Sequence, residues 1–364
     1  ELHPNSKVSQ ARIMPSYIYL HRSPAIRLWG LSYRQRIQRQ FQAADVEFVS
    51  DPSELARLPN DSKLICIDGQ WLLGARLLQS LVDGQRGTYH ANAANKTIAI
   101  ICRAEEYTSA LAVFDQPKAT ESQWPHFILE EQVSNVEERL RKLDPPLIKQ
   151  LDPDQIQSVE NALYGSAYKS VTDLVTKWLW PKPARVVTHW CATLGIRPNH
   201  VTSFGVLLML LAGWLFYQGH YGWGLLAGWV MTFLDTVDGK LARVTITSSK
   251  IGNALDHGMD LVHPPFWYMV WGMGLATGVG WPFEISLAWI YVLIFVGYTL
   301  GRLAEGCFEW ILASFSLFTW RPFDSFNRLV TARRNPCMII LTAAWLAGRP
   351  DIGLMGVVFW TLLS

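Results

Sequence analysis

Four carboxylates, Asp235, Asp238, Asp256 and Asp260, stand in or beside long apolar runs, with LLAGWVMTFL before the first and LVHPPFWYMVWGMGLA after the last. A charged side chain at the centre of a bilayer helix costs roughly 2.5–3.5 kcal/mol on insertion scales, so four acids need compensating partners. On helices, Asp235 and Asp238 fall at i, i+3 and Asp256 and Asp260 at i, i+4, so each pair shares a face. Two such faces turned together form an oxygen-rich cage. Its natural tenant is a hard divalent cation, Mg2+ or Mn2+.

The spacing D-x2-D-G-x2-A-R-x8-G-x3-D-x3-D is matched by Asp235, Asp238, Gly239, Ala242, Arg243, Gly252, Asp256 and Asp260. This pattern resembles the signature of the CDP-alcohol phosphotransferases, and the likeness runs from about Trp178 to the last residue. The resemblance implies an integral-membrane enzyme that moves a phosphoalcohol group from a CDP-alcohol onto a hydroxyl acceptor and releases CMP. It implies that Asp235, Asp238 and Asp256 hold metal, and that Asp260 is the base and also touches metal. Gly239, Ala242 and Gly252 are small where backbone must approach a nucleotide, although small residues also serve plain helix packing. Arg243 is expected on phosphate, with snorkelling at the interface as its alternative. PNHVT (198–202), with Asn199 and Thr202, resembles the segment bordering the CDP site, and Asn199 also suits a helix cap. A salt-bridge network with Lys240 and Arg243 is set aside, because two basic residues cannot balance four buried acids. Members of the family are commonly homodimers.

Locally, DGKLAR, SSK and LDHGMD resemble the choline/ethanolamine branch, which reads DGKQAR, SSP and FDHGCD. His257 is accordingly a second candidate acid/base, or a structural hydrogen-bonding residue. His263, beside a proline pair, carries the same two readings. Arg302, Glu305 and Glu309 are charges within an apolar segment and line an acceptor pocket or pair with one another. Arg321, Arg333 and Arg334 suit a phosphorylated acceptor, or anchor the chain at the cytosolic face.

The rest of the chain bounds these readings. The formal net charge of +2 argues against a broad nucleic-acid surface. Fourteen of the 17 tryptophans lie from Trp178 onward, as membrane interfaces favour. Five scattered cysteines form no CxxC and no metal spacing. In the first half, YIYL (17–20), VEFVS (46–50), KLICID (63–68) and TIAIIC (97–102) read as strands, and 25–44 and 72–84 as helices. A three-layer α/β domain with a largely parallel sheet is expected. Its order, with a strand ending in Asp68, resembles a sugar-nucleotidyltransferase core. The G-G-x-G-T-R loop is replaced by LHRSPAIR, which implies an inactive relative with a structural or regulatory role. A charged helix is expected over Glu130–Leu143.

The expected organisation is therefore an α/β soluble domain (1–145), a linker with an amphipathic helix at Lys177–Arg197 (146–198), and an all-α polytopic domain (199–364). Its spans read as 200–218, 222–243, 254–279, 284–311, 337–349 and 352–364. Lys and Arg crowd the connections on one side, so both termini, the first domain and the acids face the cytosol. Without a secretory signal before the soluble domain, the localisation expected is a bacterial inner membrane. The acceptor is a lipid hydroxyl in lipid headgroup synthesis, with a soluble polyol phosphate as the alternative. A first domain acting as an active cytidylyltransferase is the further alternative.

Overall fold

The structure, a computed structural model, describes residues 15–364 except 42–45, 93–95, 116–123, 139–140, 169–170, 248–249, 279 and 313–314. For 250, 251, 253–257 and 312 it describes the backbone alone, so the side chains of Asp256 and His257 lie outside the described residues. The chain divides into two compact units, Glu1–Asn135 with Pro145–Ala162, and Val136–Asp144 with Leu163–Ser364.

The first unit is built on a six-stranded sheet of β1 (Ser16–His21), β2 (Val46–Val49), β3 (Lys63–Asp68), β4 (Gly87–Ala91), β5 (Lys96–Arg103) and β6 (His126–Ile128), in the order β2-β1-β3-β5-β4-β6. Leu64 to Ile67 and Ile98 to Ile101 are buried, as continuous apolar runs covered on both faces should be. The sheet is largely parallel, as expected, with one exception: β1, β2, β3, β4 and β6 run the same way, and β5 runs antiparallel to both β3 and β4. Ala91 and Lys96 stand too close in sequence for the crossover of a dozen or more residues that a parallel pair needs.

Three helix expectations are corrected. Over 25–44, the pair Arg27–Leu28 and Leu31–Ser32 forms a tight hairpin, with Trp29 and Gly30 at φ +52° and +75°, before helix α1 (Tyr33–Gln40) begins. Trp29 is held there by Glu160, which accepts from its backbone N–H at 2.7 Å and from its indole at 3.1 Å. Ser32 and Gln35 then form a capping box. Over 72–84, Trp71–Leu73 is a strand paired with Ile148–Gln150, and helix α2 (Ala75–Asp83) follows. Glu130–Leu143 makes only the short turn Glu130–Gln132 and an antiparallel pair, Val136–Glu137 with Lys142–Leu143. Helix α3 (Tyr107–Asp115) packs Ala110, Val113 and Phe114 onto the sheet.

The second unit is largely helical. Helix α4 (Ile156–Ser166) begins in the first unit and ends in the second, and it is followed by a wide turn at Val175–Leu179 and then α5 (Pro181–Thr193). Trp178 and Trp190 are exposed, as an interfacial helix requires, whereas Trp180 turns inward onto Trp229 and Phe233. The six expected spans fall on α6 (Pro198–Tyr217), α7 (Tyr221–Val244), α8 (Lys250–Thr277), α9 (Leu287–Cys307), α11 (Arg334–Leu346) and α12 (Pro350–Leu363), with the short α10 (Pro322–Val330) before α11. Among the described residues, two helices are long and apolar enough to cross a membrane, Pro198–Tyr217 and Leu287–Ile311. Helix α7 carries Asp235, Asp238, Lys240 and Arg243 near its end, and α11 is only 13 residues long.

The bundle closes on aromatic residues. Phe216, Tyr221, Trp267 and Trp271 are buried together with Met338, Leu341 and Leu354. The polar atoms of these rings are matched, Trp267 donating to the Met209 carbonyl and Trp271 to the Pro350 carbonyl, each at 3.0 Å. Gly224 makes room for this core, since a Cβ there would lie 2.5 Å from the Phe216 ring. Large apolar side chains such as Leu207, Trp214, Trp223, Trp289 and Leu300 stay exposed on the outside, marking a membrane-associated unit.

Candidate active site

Asp235 and Asp238 lie near the end of α7, and Asp260 lies one turn before the proline pair of α8. Asp238 is buried, at 5% exposure. Its Oδ2 accepts from the Thr202 hydroxyl of α6 at 2.7 Å, and among the described residues its Oδ1 has no hydrogen-bond partner. A buried carboxylate oxygen left in this way is costly unless a cation or donor meets it. Asp235 and Asp260 converge on a guanidinium at the first residue of α11. Arg334 reaches Asp235 Oδ2 with Nη2 and Asp260 Oδ1 with Nη1, both at 2.5 Å. Among the described residues no three metal-ligating side chains cluster together. The acids nevertheless fit a divalent cation, because Asp238 keeps an orphaned oxygen and Arg334 already places positive charge between the other two.

Helix α8 contains Pro264 and Pro265, and Pro264 has no N–H to give the Asp260 carbonyl. The Tyr298 hydroxyl of α9 takes that role, donating to the Asp260 carbonyl at 3.4 Å. His263 is buried, with Nδ1 2.7 Å from the Met259 carbonyl and its ring edge-on to Trp267. Its Nε2 has no hydrogen-bond partner among the described residues.

Of the residues expected at the CDP site, Thr202 is brought onto Asp238, and Arg243 lies over Gly239. A Cβ at Gly239 would stand 3.2 Å from Arg243 Nη2, so glycine there leaves space for the guanidinium. Ala242 is half-buried on α7 between them. Asn199 is exposed in the first turn of α6, whose cap is Arg197, so the capping alternative is not adopted. Gly252 lies in the first turn of α8. Lys240 is buried beside two tyrosines. Its ammonium lies over the rings of Tyr168 and Tyr164.

The acceptor candidates separate. Arg302 pairs with Glu305 at 2.6 Å, and Arg333 reaches the other oxygen of Glu305. Glu309 is exposed, and Arg321 stacks on Trp320 at the start of α10. A cavity of about 130 Å³ opens beside the first group, lined by Tyr298, Arg302, Glu305, Phe318, Asp324 and Asn327 among others. Arg302 Nε, Arg328 Nη1 and Arg333 Nε are buried without hydrogen-bond partners among the described residues. Burial and the neighbouring Arg333 push Arg328 down to about 9. The arrangement suits an anionic or many-hydroxyl group.

Two residues escaped the reading of the sequence. Asn335 is buried and donates to Asp173 Oδ1 at 3.0 Å, while Asp173 also accepts from the backbone N–H groups of Val175 and Thr176. Arg334 was expected at an acceptor phosphate or as an anchor at the cytosolic face, and its pairing with Asp235 and Asp260 was not foreseen. The only local signal for either was the run Arg333-Arg334-Asn335 immediately before an apolar helix.

Comparison with known proteins bears on the same segment. The sequence profile of the CDP-alcohol phosphatidyltransferase family matches residues 195–307. An archaetidylinositol phosphate synthase of Pyrococcus horikoshii is 36% identical over 103 residues, 28% of this chain and 52% of that protein. Cholinephosphotransferase 1 of Gallus gallus is 30% identical over 166 residues, 40% of this chain and 44% of that protein. A phosphatidylinositol phosphate synthase of Mycobacteroides abscessus is 36% identical over 69 residues, 19% of this chain and 31% of that protein. The chain thus spans about half the length, or less, of these relatives. In its motif, its helices and these matches, the segment 195–307 is similar to the CDP-alcohol phosphatidyltransferase family.

Proposed function

We propose that this protein transfers a phosphoalcohol group from a CDP-alcohol to a hydroxyl acceptor at a membrane surface, in lipid headgroup synthesis. The carrying observation is the eight-residue motif, together with the placing of Asp235 and Asp260 on one cation and of the orphaned Asp238 oxygen nearby. Asp235, Asp238, Asp256 and Asp260 would hold a divalent cation, Mg2+ or Mn2+, which when bound neutralises diphosphate charge. Thr202 orients Asp238. Arg243, over Gly239, is poised for the donor's phosphate. The acceptor hydroxyl gives its proton to Asp260, or to His257, and its oxygen attacks the phosphorus bonded to the alcohol. The bond from that phosphorus to the CMP phosphate breaks, and CMP leaves.

The acceptor reading stays twofold. A lipid hydroxyl fits the exposed apolar faces of α6 and α9, and cholinephosphotransferases are among the relatives. A polyol phosphate fits the polar cavity lined by Arg302, Glu305 and Asp324, and an archaetidylinositol phosphate synthase and a phosphatidylinositol phosphate synthase are also among the relatives. In the finer reading all six apolar helices span the membrane, the acids and the first domain face the cytosol of a bacterial inner membrane, and the protein is a homodimer. The domains run 1–145, 146–198 and 199–364, and the first is a nucleotidyltransferase-like fold without activity.

The test is CMP release by the purified full chain in detergent with Mg2+, offering a panel of CDP-alcohols with lipid extract or polyol phosphates. Release that needs both a CDP-alcohol and an acceptor, and disappears in Asp260→Asn, is the expected result. No release with any pair, under conditions where the protein is folded, overturns the reading.

A further inference from the structure

We propose that Arg334 is the resident counter-cation of the acidic cluster and competes with the divalent cation for Asp235 and Asp260. The inference rests on the reading of these acids as a cation site. One guanidinium, 12% exposed, bridges carboxylates of two different helices at 2.5 Å on each arm. The oxygens it takes, Asp235 Oδ2 and Asp260 Oδ1, are then no longer open to a metal ion on those lone pairs. Asp238 faces Thr202 instead and keeps an oxygen with no hydrogen-bond partner among the described residues, so Arg334 satisfies the cluster in part only.

The placement of Arg334 is fixed by its neighbours. Arg333 is tied to Glu305 of α9, and Asn335 is tied to Asp173 and Thr176. Arg334 is therefore delivered to the acids by the start of α11 and is no stray surface side chain. A bridging guanidinium keeps the acids of α7 and α8 from repelling one another when no metal is bound. Loading the metal then requires at least one of its two arms to let go. A lysine at this position keeps the charge but loses the fork that holds both carboxylates.

The experiment measures Mn2+ binding to the full chain in detergent, without nucleotide, by electron paramagnetic resonance, for wild type, Arg334→Gln, Arg334→Lys and Asp238→Asn. Arg334→Gln is expected to bind Mn2+ about tenfold more tightly than wild type or better, with Arg334→Lys in between. The metal-free Arg334→Gln protein is expected to melt below wild type, and saturating Mn2+ to raise its melting temperature more than that of wild type. Equal or weaker Mn2+ binding by Arg334→Gln overturns the inference and makes Arg334 a support for metal binding. If Arg334→Gln does not fold, the same comparison is read from Arg334→Lys, which must still bind more tightly than wild type. If neither wild type nor Arg334→Gln binds Mn2+, or Asp238→Asn binds it as wild type does, the cation site itself is wrong, an outcome distinct from failure of the competition.

Discussion

Tyr298 shows how a single hydroxyl can repair what a proline removes. Pro264 leaves the Asp260 carbonyl without its helical donor, and the Tyr298 hydroxyl fills the gap from the next helix. Tyr298→Phe should cost about 1 kcal/mol of stability and lower turnover several-fold, since the backbone that carries Asp260 is loosened. Pro264→Ala restores a helical N–H, so the stability penalty of Tyr298→Phe should shrink in the double variant, as melting temperatures would show. At this scale the sequence was partly legible. The acids and small residues of the motif follow one another at fixed steps along two helices, and such spacing is local. Arg334 meets Asp235 across 99 positions, and no periodicity reports a through-space pair of that kind. The tyrosines under Lys240 were hidden for the same reason.

Among the elements, the apolar helices were legible because a run of nonpolar residues long enough to be buried announces itself. The reversed direction of β5 was not, since a strand looks alike whichever way it runs, and only the short connection from β4 to β5 reveals it. The start of α11 was visible only as charge. Its buried Asn335 supports a knot in which Asp173 holds the segment before α5. Asn335→Ala should cost about 1–3 kcal/mol, the range for depriving a buried acceptor of its donor, read as a drop in melting temperature. Asn335→Asp should do worse, placing a second carboxylate against Asp173.

For the whole molecule, the question is whether the two units share one chemistry. The first has the mixed sheet described above and lacks the glycine-rich loop at LHRSPAIR. Full-length protein given CTP and a phosphoalcohol should therefore release no pyrophosphate, while the same preparation given a CDP-alcohol and an acceptor should release CMP. Pyrophosphate in the first assay would make the chain bifunctional. The apolar exterior of the second unit and the charges gathered at the ends of α7 and at the start of α11 divide its surface into a greasy wall and a polar rim. Arg333, the cap before the helix, and Arg334 and Asn335, its first two residues, grip Glu305, the acids and Asp173 respectively, like the jaws of a chuck around a drill bit. Such a grip fixes the rotation of α11 about its own axis. A one-residue insertion just after Asn335 would leave these grips in place and turn the rest of the helix, with Met338 and Leu341, about 100° away from the core.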